Sequence, residues 1–202
     1  MINFFFRIII AFLFTTNIYS QSIVNVDYMF YLDTELPKKV PCKLHVEKDS
    51  SIFFIDMTKF QKWDDKKATI DEALFGDTQS LLDIKHHNKF IKVNRLEKKM
   101  EMIDNLIFSN NLYIIDTYPT NYWAITKTEK QIGKYKCIKA TTNYRGRDWE
   151  VWFTTDLPYS FGPWKLQGLP GLILEAQSTD KRFTFIANKI DFTPQVLIFP
   201  NG

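Results

Sequence analysis

Acidic side chains in the C-terminal half are the first residues whose type and spacing could support chemistry; they are Asp148, Glu150, Asp156 and Glu175. Asp148 and Glu150 stand two residues apart in a predicted strand, so both would project from one face of a sheet. Paired carboxylates can divide acid and base roles in hydrolysis. Arg145 and Arg147 follow the same alternation, however, and a solvated face of ion pairs explains the group better. We therefore predict no catalytic residue, and a secreted hydrolase using Asp148 and Glu150 is kept as the alternative.

The three histidines do not form a pattern that would bind a metal ion. His86 and His87 are adjacent in a segment with little periodicity, and His45 stands alone on a predicted strand. A zinc site needs a spaced set of side chains with further ligands. We predict no metal site and no cofactor.

Aromatic residues are abundant, with 18 Phe, 9 Tyr and 5 Trp among 202 residues. Most of them should fill the core, but a curved sheet could also line a concave site with such rings. A site of this kind would hold a peptide, a glycan or an apolar ligand. The candidate binding residues all lie in the segment densest in motifs; they are Trp152, Trp164, Tyr144 and Arg145.

These observations favour a non-catalytic binding or accessory module, with the hydrolase as one alternative and a scaffold partner of an outer-membrane complex as another. A structure separates the three hypotheses. A deep apolar or aromatic concavity favours binding, convergent carboxylates at its floor favour hydrolysis, and a closed core with neither favours a scaffold.

One corner of the chain combines two glycines and a proline; its residues are Gly168, Leu169, Pro170, Gly171, Leu172 and Ile173. Pro170 followed by Gly171 predicts a type II turn, in which the glycine takes a positive φ. Gly168 indicates a second tight point or a close backbone approach. The corner contains no Ser, Cys, His or Asp, and its glycines do not match a phosphate-binding loop. We therefore interpret it as a backbone device that leads a connection into a buried strand.

The first twenty residues resemble a secretory signal peptide. Arg7 is followed by a short apolar run at 8–14 and then by polar residues that end in the small Ser20. This order is typical of a signal peptide, and the run is shorter than a membrane-spanning helix requires. The predicted division is therefore a signal peptide at 1–20 and one domain at 21–202. An N-terminal membrane anchor is the alternative. The mature chain should not span a membrane, and export would place it in the periplasm, at the outer membrane or outside the cell.

Two cysteines, Cys42 and Cys137, admit two interpretations. An exported protein meets oxidising conditions, so an even pair can form one disulfide. Alternatively both are buried thiols, because free cysteine behaves as a small apolar residue. The spacing of the two residues does not decide between them.

Length and composition predict a single, mainly β domain. The net charge of +3 arises from 26 basic and 23 acidic residues spread along the chain, which gives no basic face for nucleic acid. Short alternating segments separated by turns predict an antiparallel, curved sheet, like a half-barrel or bowl, with few short helices. The predicted strands lie near 22–32, 43–47, 51–56, 112–116, 122–126, 134–141, 149–154, 171–176 and 182–187. Residues 58–95 have little period and predict an excursion with one short helix. Apolar residues at 96, 100, 103 and 107 have helical spacing, but residues 105–115 look like two strands around an Asn-rich turn, so helix and strand both stay open here.

The motif residues resemble those of the GLPGLI family of exported proteins, found mainly in Bacteroidota. The resemblance rests on the corner at 168–173 and on Lys134–Thr141, Tyr144–Trp149, Val151–Thr154 and Gly162–Lys165. It implies an exported, β-rich domain and no established activity. The chain is also similar to the bowl-like N-terminal domain of some bacterial peptide:N-glycosidases, which implies an accessory or recognition role.

Overall fold

The computed structural model describes residues 23–33, 37–59, 61–62, 88–105, 111–194 and 197–200. Over these residues the chain forms twelve strands and one short 3₁₀ helix at Met57–Lys59. The strands of the first half are β1 Val24–Leu32, β2 Lys38–Val46, β3 Ser50–Ile55, β4 Gln61–Lys62, β5 Lys89–Asn94, β6 Lys99–Asn105 and β7 Asn111–Asp116. Those of the second half are β8 Ala124–Ile132, β9 Tyr135–Tyr144, β10 Arg147–Thr154, β11 Leu172–Ser178 and β12 Phe183–Asp191.

The strands form one antiparallel sheet whose first and last members meet at its centre. The order is β7-β6-β5-β3-β2-β1-β12-β11-β10-β9-β8, with β4 beside β2. The two halves of the chain are therefore two wings, joined along the pairing of β1 with β12. The prediction of a mainly β, antiparallel fold is confirmed.

The connection between the two edge strands requires this sheet to curl. Eleven strands side by side in a flat sheet would place β7 and β8 about 48 Å apart. Asp116 ends β7 and Ala124 begins β8 only eight residues later, and that length of extended backbone spans at most about 28 Å. The wings must bend toward each other, which gives the sheet a concave face. Among the described strands β7 and β8 do not pair with each other, so the sheet that they border is open.

In the second half of the chain the predicted strands correspond to β7–β12, although β8 occupies Ala124–Ile132 rather than 122–126. The alternation of Trp149, Val151 and Phe153 places all three in the core, opposite the half-buried Glu150 and Trp152. In the first half, the predicted hairpin of β2 and β3 is present. The alternation is clearest in β10, where buried and partly exposed residues alternate, whereas β8 contains no buried residue.

One prediction for residues 58–95 needs correction. The predicted excursion contains β4 and the strand β5, which pairs with β3 and β6, so these parts of the segment belong to the sheet. Where helix and strand were both open, residues 99–105 form the strand β6. The short helix predicted near 69–75 lies outside the described residues.

The long connection between β10 and β11, residues 155–171, packs its apolar side chains into the core. Leu157, Phe161, Leu166 and Leu169 are almost fully buried, as are Leu172 and Ile173 at the start of β11. Backbone hydrogen bonds join the two ends of the connection: Leu172 N donates to Leu157 O, and Ile173 N donates to Phe161 O. The corner therefore leads a folded connection into a core strand, as expected.

The structure changes the role of one of the two corner glycines: Gly168 marks a tight point, as predicted, but Gly171 does not have the predicted positive φ. Gly168, not Gly171, has a positive φ, at 95°, so the predicted type II turn at Pro170-Gly171 is wrong. Gly171 is required by a close approach instead, because a Cβ there would lie 2.1 Å from the carbonyl oxygen of Thr154.

The two cysteines are free thiols, and both are buried. Cys42 in β2 is paired with Tyr28 and lies on the concave face, whereas Cys137 in β9 is paired with Lys130 on the opposite, convex face. Four strands also separate β2 from β9. A disulfide requires Cα atoms within about 7 Å, so the structure agrees with the buried-thiol interpretation and not with the bridge.

In the described part of the chain, no helix has the length and apolar character needed to cross a membrane.

Candidate functional site: an aromatic cavity with a cationic rim

A cavity of about 360 Å³ lies on the concave face of the sheet, between the two wings. Its lining reaches from β6 in one wing to β10 in the other, strands that are seven positions apart in the sheet. Such strands would be about 34 Å apart in a flat sheet, so the cavity exists because the sheet curls. The lining residues are Phe30, Ile55, Lys89, Phe90, Ile91, Met102, Ile103, Asp104, Arg145, Arg147, Trp149, Trp164, Phe183 and Phe185.

Stacked aromatic rings form one wall of the cavity. Phe30 of β1 stacks on Phe185 of the neighbouring β12, with ring centroids 4.4 Å apart, and more loosely on Phe183. Trp149 of β10 continues the wall beside Phe185, at a centroid distance of 6.3 Å. These residues meet because alternate positions of β1, β10 and β12 face the same side. The wall is apolar, and the contacts between its rings fix the orientation of each ring.

Trp164 belongs to the long connection and lines the cavity from there. Its backbone has a φ of 57°, a conformation that is unusual for a bulky residue. The indole packs against Trp149 and, edge to face, against Tyr144, with both centroid distances at 5.7 Å. The connection thus holds this ring in place despite an unfavourable backbone conformation.

Arg145 lines the cavity from the turn between β9 and β10. Arg145 and Gly146 form a two-residue turn in which both residues have positive φ, the type I′ geometry in which Asn-Gly is preferred. The arginine side chain leaves this turn and its Nη2 donates to Asp116 Oδ2 at 2.7 Å. A position that favours Asn therefore carries a long cation beside the cavity.

Asp116 holds two cations at once. Besides Arg145, it accepts a hydrogen bond from Nζ of the buried Lys165, at 2.6 Å. Burial alone would raise the pKa of Asp116, but the hydrogen bonds from Lys165 and Arg145 outweigh it and lower that pKa to about 2. The carboxylate is therefore ionised at neutral pH and joins β7, the β9–β10 turn and the long connection.

The other charged lining residues are also paired. Arg147 donates through Nη1 to Asp180, and its guanidinium lies 4.3 Å from the ring centroid of Phe183. Lys89 forms an ion pair with Asp104 at 2.6 Å. The lining thus contains three basic side chains and one acidic side chain, because Asp116 and Asp180 stand outside it.

The predicted binding residues divide between the two faces of the sheet. Arg145 and Trp164 line the cavity, and Tyr144 packs behind Trp164. Trp152 lies on the convex face, where Nζ of Lys130 is 4.3 Å from its ring centroid. The structure therefore brings three of the four together and places Trp152 elsewhere.

The candidate carboxylates lie away from the cavity. Asp148 accepts a hydrogen bond from Asn143, and Glu150 pairs with Lys139 at 2.6 Å on the convex face. Asp156 is exposed, and Glu175 pairs with Lys130. Asp148 and Glu150 share one face, and Glu150 forms an ion pair there, as predicted. Their predicted grouping with Arg145 and Arg147 is wrong, because those arginines line the cavity on the other face and pair with Asp116 and Asp180.

Histidines and other metal-binding side chains do not cluster within the described residues. His45 is buried, with Nδ1 2.8 Å from Asn25 Oδ1. His86 and His87 lie outside the described residues.

Sequence reasoning missed most of the wall and part of the rim. Phe183 and Phe185 could have been found from their alternation on one predicted strand, and Arg147 was weighed only as a partner of the carboxylates. Lys89 and Met102 lie in strands that were not predicted, and their place in the cavity depends on strand order.

Comparison with known proteins gives one short family match. The model of a family described as a protein of unknown function, Porph_ging, matches residues 145–175. This segment contains the corner at 168–173 and the cavity residues Arg145, Arg147, Trp149 and Trp164. This match does not confirm the resemblance to the GLPGLI family, which stays a prediction. No curated protein matches the chain.

Solved structures with similar folds include PNGF-II in two crystal forms. The P21 form matches with a TM-score of 0.57 at 16% identity, covering 87% of this chain and 29% of that chain. The C2 form matches with a TM-score of 0.59 at 17% identity, covering 87% of this chain and 28% of that chain. The chain thus spans less than a third of PNGF-II, and the likeness is one of fold. It is consistent with the suggested relationship to a domain of peptide:N-glycosidases.

A LolA superfamily protein from Nitrosomonas europaea also matches, with a TM-score of 0.32 at 7% identity and 87% coverage of both chains. That likeness is too weak to bear on the fold. The chain is therefore similar, over a short segment, to a family of unknown function, and it shares its fold with part of PNGF-II.

Proposed function

We propose that the protein is a non-catalytic binding module whose ligand occupies the cavity on the concave face. One observation carries the proposal: a cavity of about 360 Å³ lies between the two wings of the sheet. This volume lies in the range of sites for small molecules or single side chains. Ten of its fourteen lining residues are apolar, six of them aromatic, so filling it removes a large apolar surface from water.

The arrangement of charges supports binding over hydrolysis. Among the described residues of the lining, Asp104 is the one carboxylate, and it lies 2.6 Å from Lys89. Acid and base catalysis by carboxylates in glycoside hydrolysis uses two such groups a few ångströms apart. Asp148 and Glu150, proposed for that role from sequence, lie on the other face. An accessory or recognition role is also in keeping with the fold shared with part of PNGF-II, a much longer chain.

The test uses N-phenylnaphthylamine, a neutral apolar dye that fluoresces when it enters an apolar site. We expect saturable binding with one dye per chain. Ile55 lines the cavity, so Ile55→Trp should fill it and abolish the signal. Ile125 lies exposed on β8, and Ile125→Trp is the matched control that should bind like the wild type.

Met102 also lines the cavity, so Met102→Trp is a second variant that should fill it if Ile55→Trp does not fold. Circular dichroism and thermal unfolding establish that each variant is folded. Absence of saturable dye binding to the wild type would overturn the proposal. So would unchanged binding by two folded filling variants.

We also propose that the chain is exported and that residues 1–20 are removed. The support is the charged start, short apolar run and small residue at Ser20 in the sequence. Expression of the full chain in a bacterium, followed by fractionation and N-terminal sequencing, should give a periplasmic or outer-membrane product that begins at Gln21. A product that retains its first residues in the cytoplasm would refute this proposal.

A further inference from the structure

We infer that the ligand of this cavity is an amphiphilic anion, with an apolar body against the aromatic wall and a negatively charged head on Arg145 and Arg147. The inference rests on the proposed function and specifies the chemistry of its ligand. Its basis is the distribution of charge within the lining, which contains three basic side chains and one acidic side chain among the described residues.

The two arginines are placed to receive a head group. Arg147 and Trp149 alternate on β10, so the guanidinium and the aromatic wall face the same side. Arg145 stands at the adjacent turn, two residues earlier. Both line the same cavity, so a single ligand with an apolar body can reach the wall and the guanidinium groups together.

Each arginine retains hydrogen-bonding capacity. Arg147 uses Nη1 for Asp180, and Arg145 uses Nη2 for Asp116 and Nε for Tyr144 at 3.4 Å. A guanidinium has five N–H donors. Further donors on both side chains therefore have no partner among the described residues, and they can bind a carboxylate or phosphate without breaking the existing ion pairs.

Lys89 is a weaker candidate for the head group. Its ammonium is 2.6 Å from Asp104, and both residues line the cavity. Their charges cancel within the lining itself. Asp116, by contrast, is shared by Arg145 and Lys165, so this group of three side chains keeps a net positive charge at the arginine end. Arg147 pairs with Asp180, whose side chain is 42% exposed and therefore screened by solvent.

Exposure also favours a reversible anion site at this end. The side chains of Arg145 and Arg147 are 44% and 31% exposed, so water and an incoming anion can both reach them. Because the guanidinium groups stay partly solvated in the complex, the desolvation cost of binding an anion is small. An anion that is attached to an apolar body gains from both the wall and the rim, while a small inorganic anion gains only from the rim.

The experiment compares ligands that share one chain and differ in the head: dodecanoate, dodecyl phosphate, dodecanol and dodecylamine. Each displaces N-phenylnaphthylamine, and isothermal titration calorimetry measures its affinity. We expect both anions to bind at least about tenfold more tightly than dodecanol, with dodecylamine weakest. A preference between the two anions identifies a carboxylate or a phosphate head.

Variants then locate the head group. Arg147→Gln should weaken dodecanoate roughly tenfold to a hundredfold, as for a lost hydrogen bond to a charged group, and leave dodecanol unchanged. Arg145→Gln should act in the same direction, and Arg147→Lys should restore part of the affinity. Lys139→Gln, on the convex face, is the control that should not alter any affinity.

Each outcome bears on one of the two proposals. If dodecanol binds as tightly as dodecanoate, or if both arginine variants leave dodecanoate unchanged, the head-group inference is overturned while the binding function stands. If the dye binds but none of the four ligands displaces it, the inference again fails alone. If the wild type does not bind the dye, the proposed function is itself refuted.

Discussion

Lys165 and Asp116 form a largely buried ion pair that joins the long connection to the edge strand β7. Their atoms Nζ and Oδ2 are 2.6 Å apart, and only 5% of Lys165 is exposed. The same carboxylate oxygen accepts from Arg145, so one side chain ties the rim of the cavity to the core. A buried charge is tolerated only with a partner, which makes Asp116 a residue on which both stability and the cavity depend.

Replacement of this carboxylate should destabilise the fold. Asp116→Asn leaves the Lys165 ammonium buried without an anion, and breaking such a pair costs roughly 3 kcal/mol of unfolding free energy. Urea denaturation at neutral pH measures the loss. Glu129→Gln is the control, because Glu129 pairs with Lys136 at 2.8 Å but both side chains are well exposed, and its cost should stay within about 1 kcal/mol.

A further variant tests the cause of that loss. If the unpaired ammonium is responsible, Asp116→Asn combined with Lys165→Met should be more stable than Asp116→Asn alone. Equal costs for Asp116→Asn and Glu129→Gln would contradict the assignment of a buried pair.

The same residue makes stability depend on acid pH. Burial opposes ionisation, yet the hydrogen bonds from Lys165 and Arg145 lower the pKa of Asp116 from 3.8 to about 2. Because the folded-state pKa is below the unfolded value, the stabilisation is present above about pH 4 and is lost as the pH falls toward about 2. The shift corresponds to about 2.5 kcal/mol.

Denaturation curves of the wild type and of Asp116→Asn at several pH values measure this dependence. The difference between the two proteins should be largest near neutral pH and should shrink between about pH 4 and pH 2. A difference that stays constant over this interval would show that Asp116 does not titrate as described.

Sequence alternation predicted β10 well because alternate residues of that strand are buried, but it misplaced the bounds of β8, which contains no buried residue. It missed β5 and left helix and strand open for β6, where the pattern is mixed. In β6, Met100 and Ile103 are both buried at a spacing of three, which imitates one turn of a helix. In β5, Phe90 and Ile91 are consecutive and both line the cavity, so the alternation of a half-buried strand is interrupted.

The candidate site was harder to predict because it depends on distant pairings. Trp164 and Arg145 were selected for their residue types and their place in a motif-rich segment. Asp116 is separated from them by 48 and 29 positions, and only the curl of the sheet brings β7 close to the β9–β10 turn. No periodicity within one strand carries that information.

Gly171 and Gly133 allow a test that separates a steric requirement for glycine from a conformational one. Gly171→Ala would place a Cβ 2.1 Å from the Thr154 carbonyl oxygen, and backbone cannot move away easily. We expect more than about 4 kcal/mol of destabilisation or a failure to fold. Gly133→Ala is the matched control, because Gly133 has a φ of 56° but open space around it, so only backbone strain of about 1 kcal/mol applies.

Soluble yield and thermal unfolding of both variants provide the measurement. Similar stability of the two variants would mean that the space around Gly171 is not limiting.

The free cysteines give the last prediction. Burial raises the pKa of the Cys42 thiol, with Asp56 adding to the effect, and burial raises that of Cys137 to about 11. Neither thiol should be deprotonated at neutral pH, so both should react slowly with a maleimide in the native protein. In denaturant without reductant, alkylation should modify both residues and mass spectrometry should show two added groups. Reductant should leave the melting temperature unchanged. The opposite result would be that neither thiol reacts in denaturant and that the melting temperature falls on reduction. That result would show a disulfide bond and would contradict the positions of β2 and β9 in the sheet.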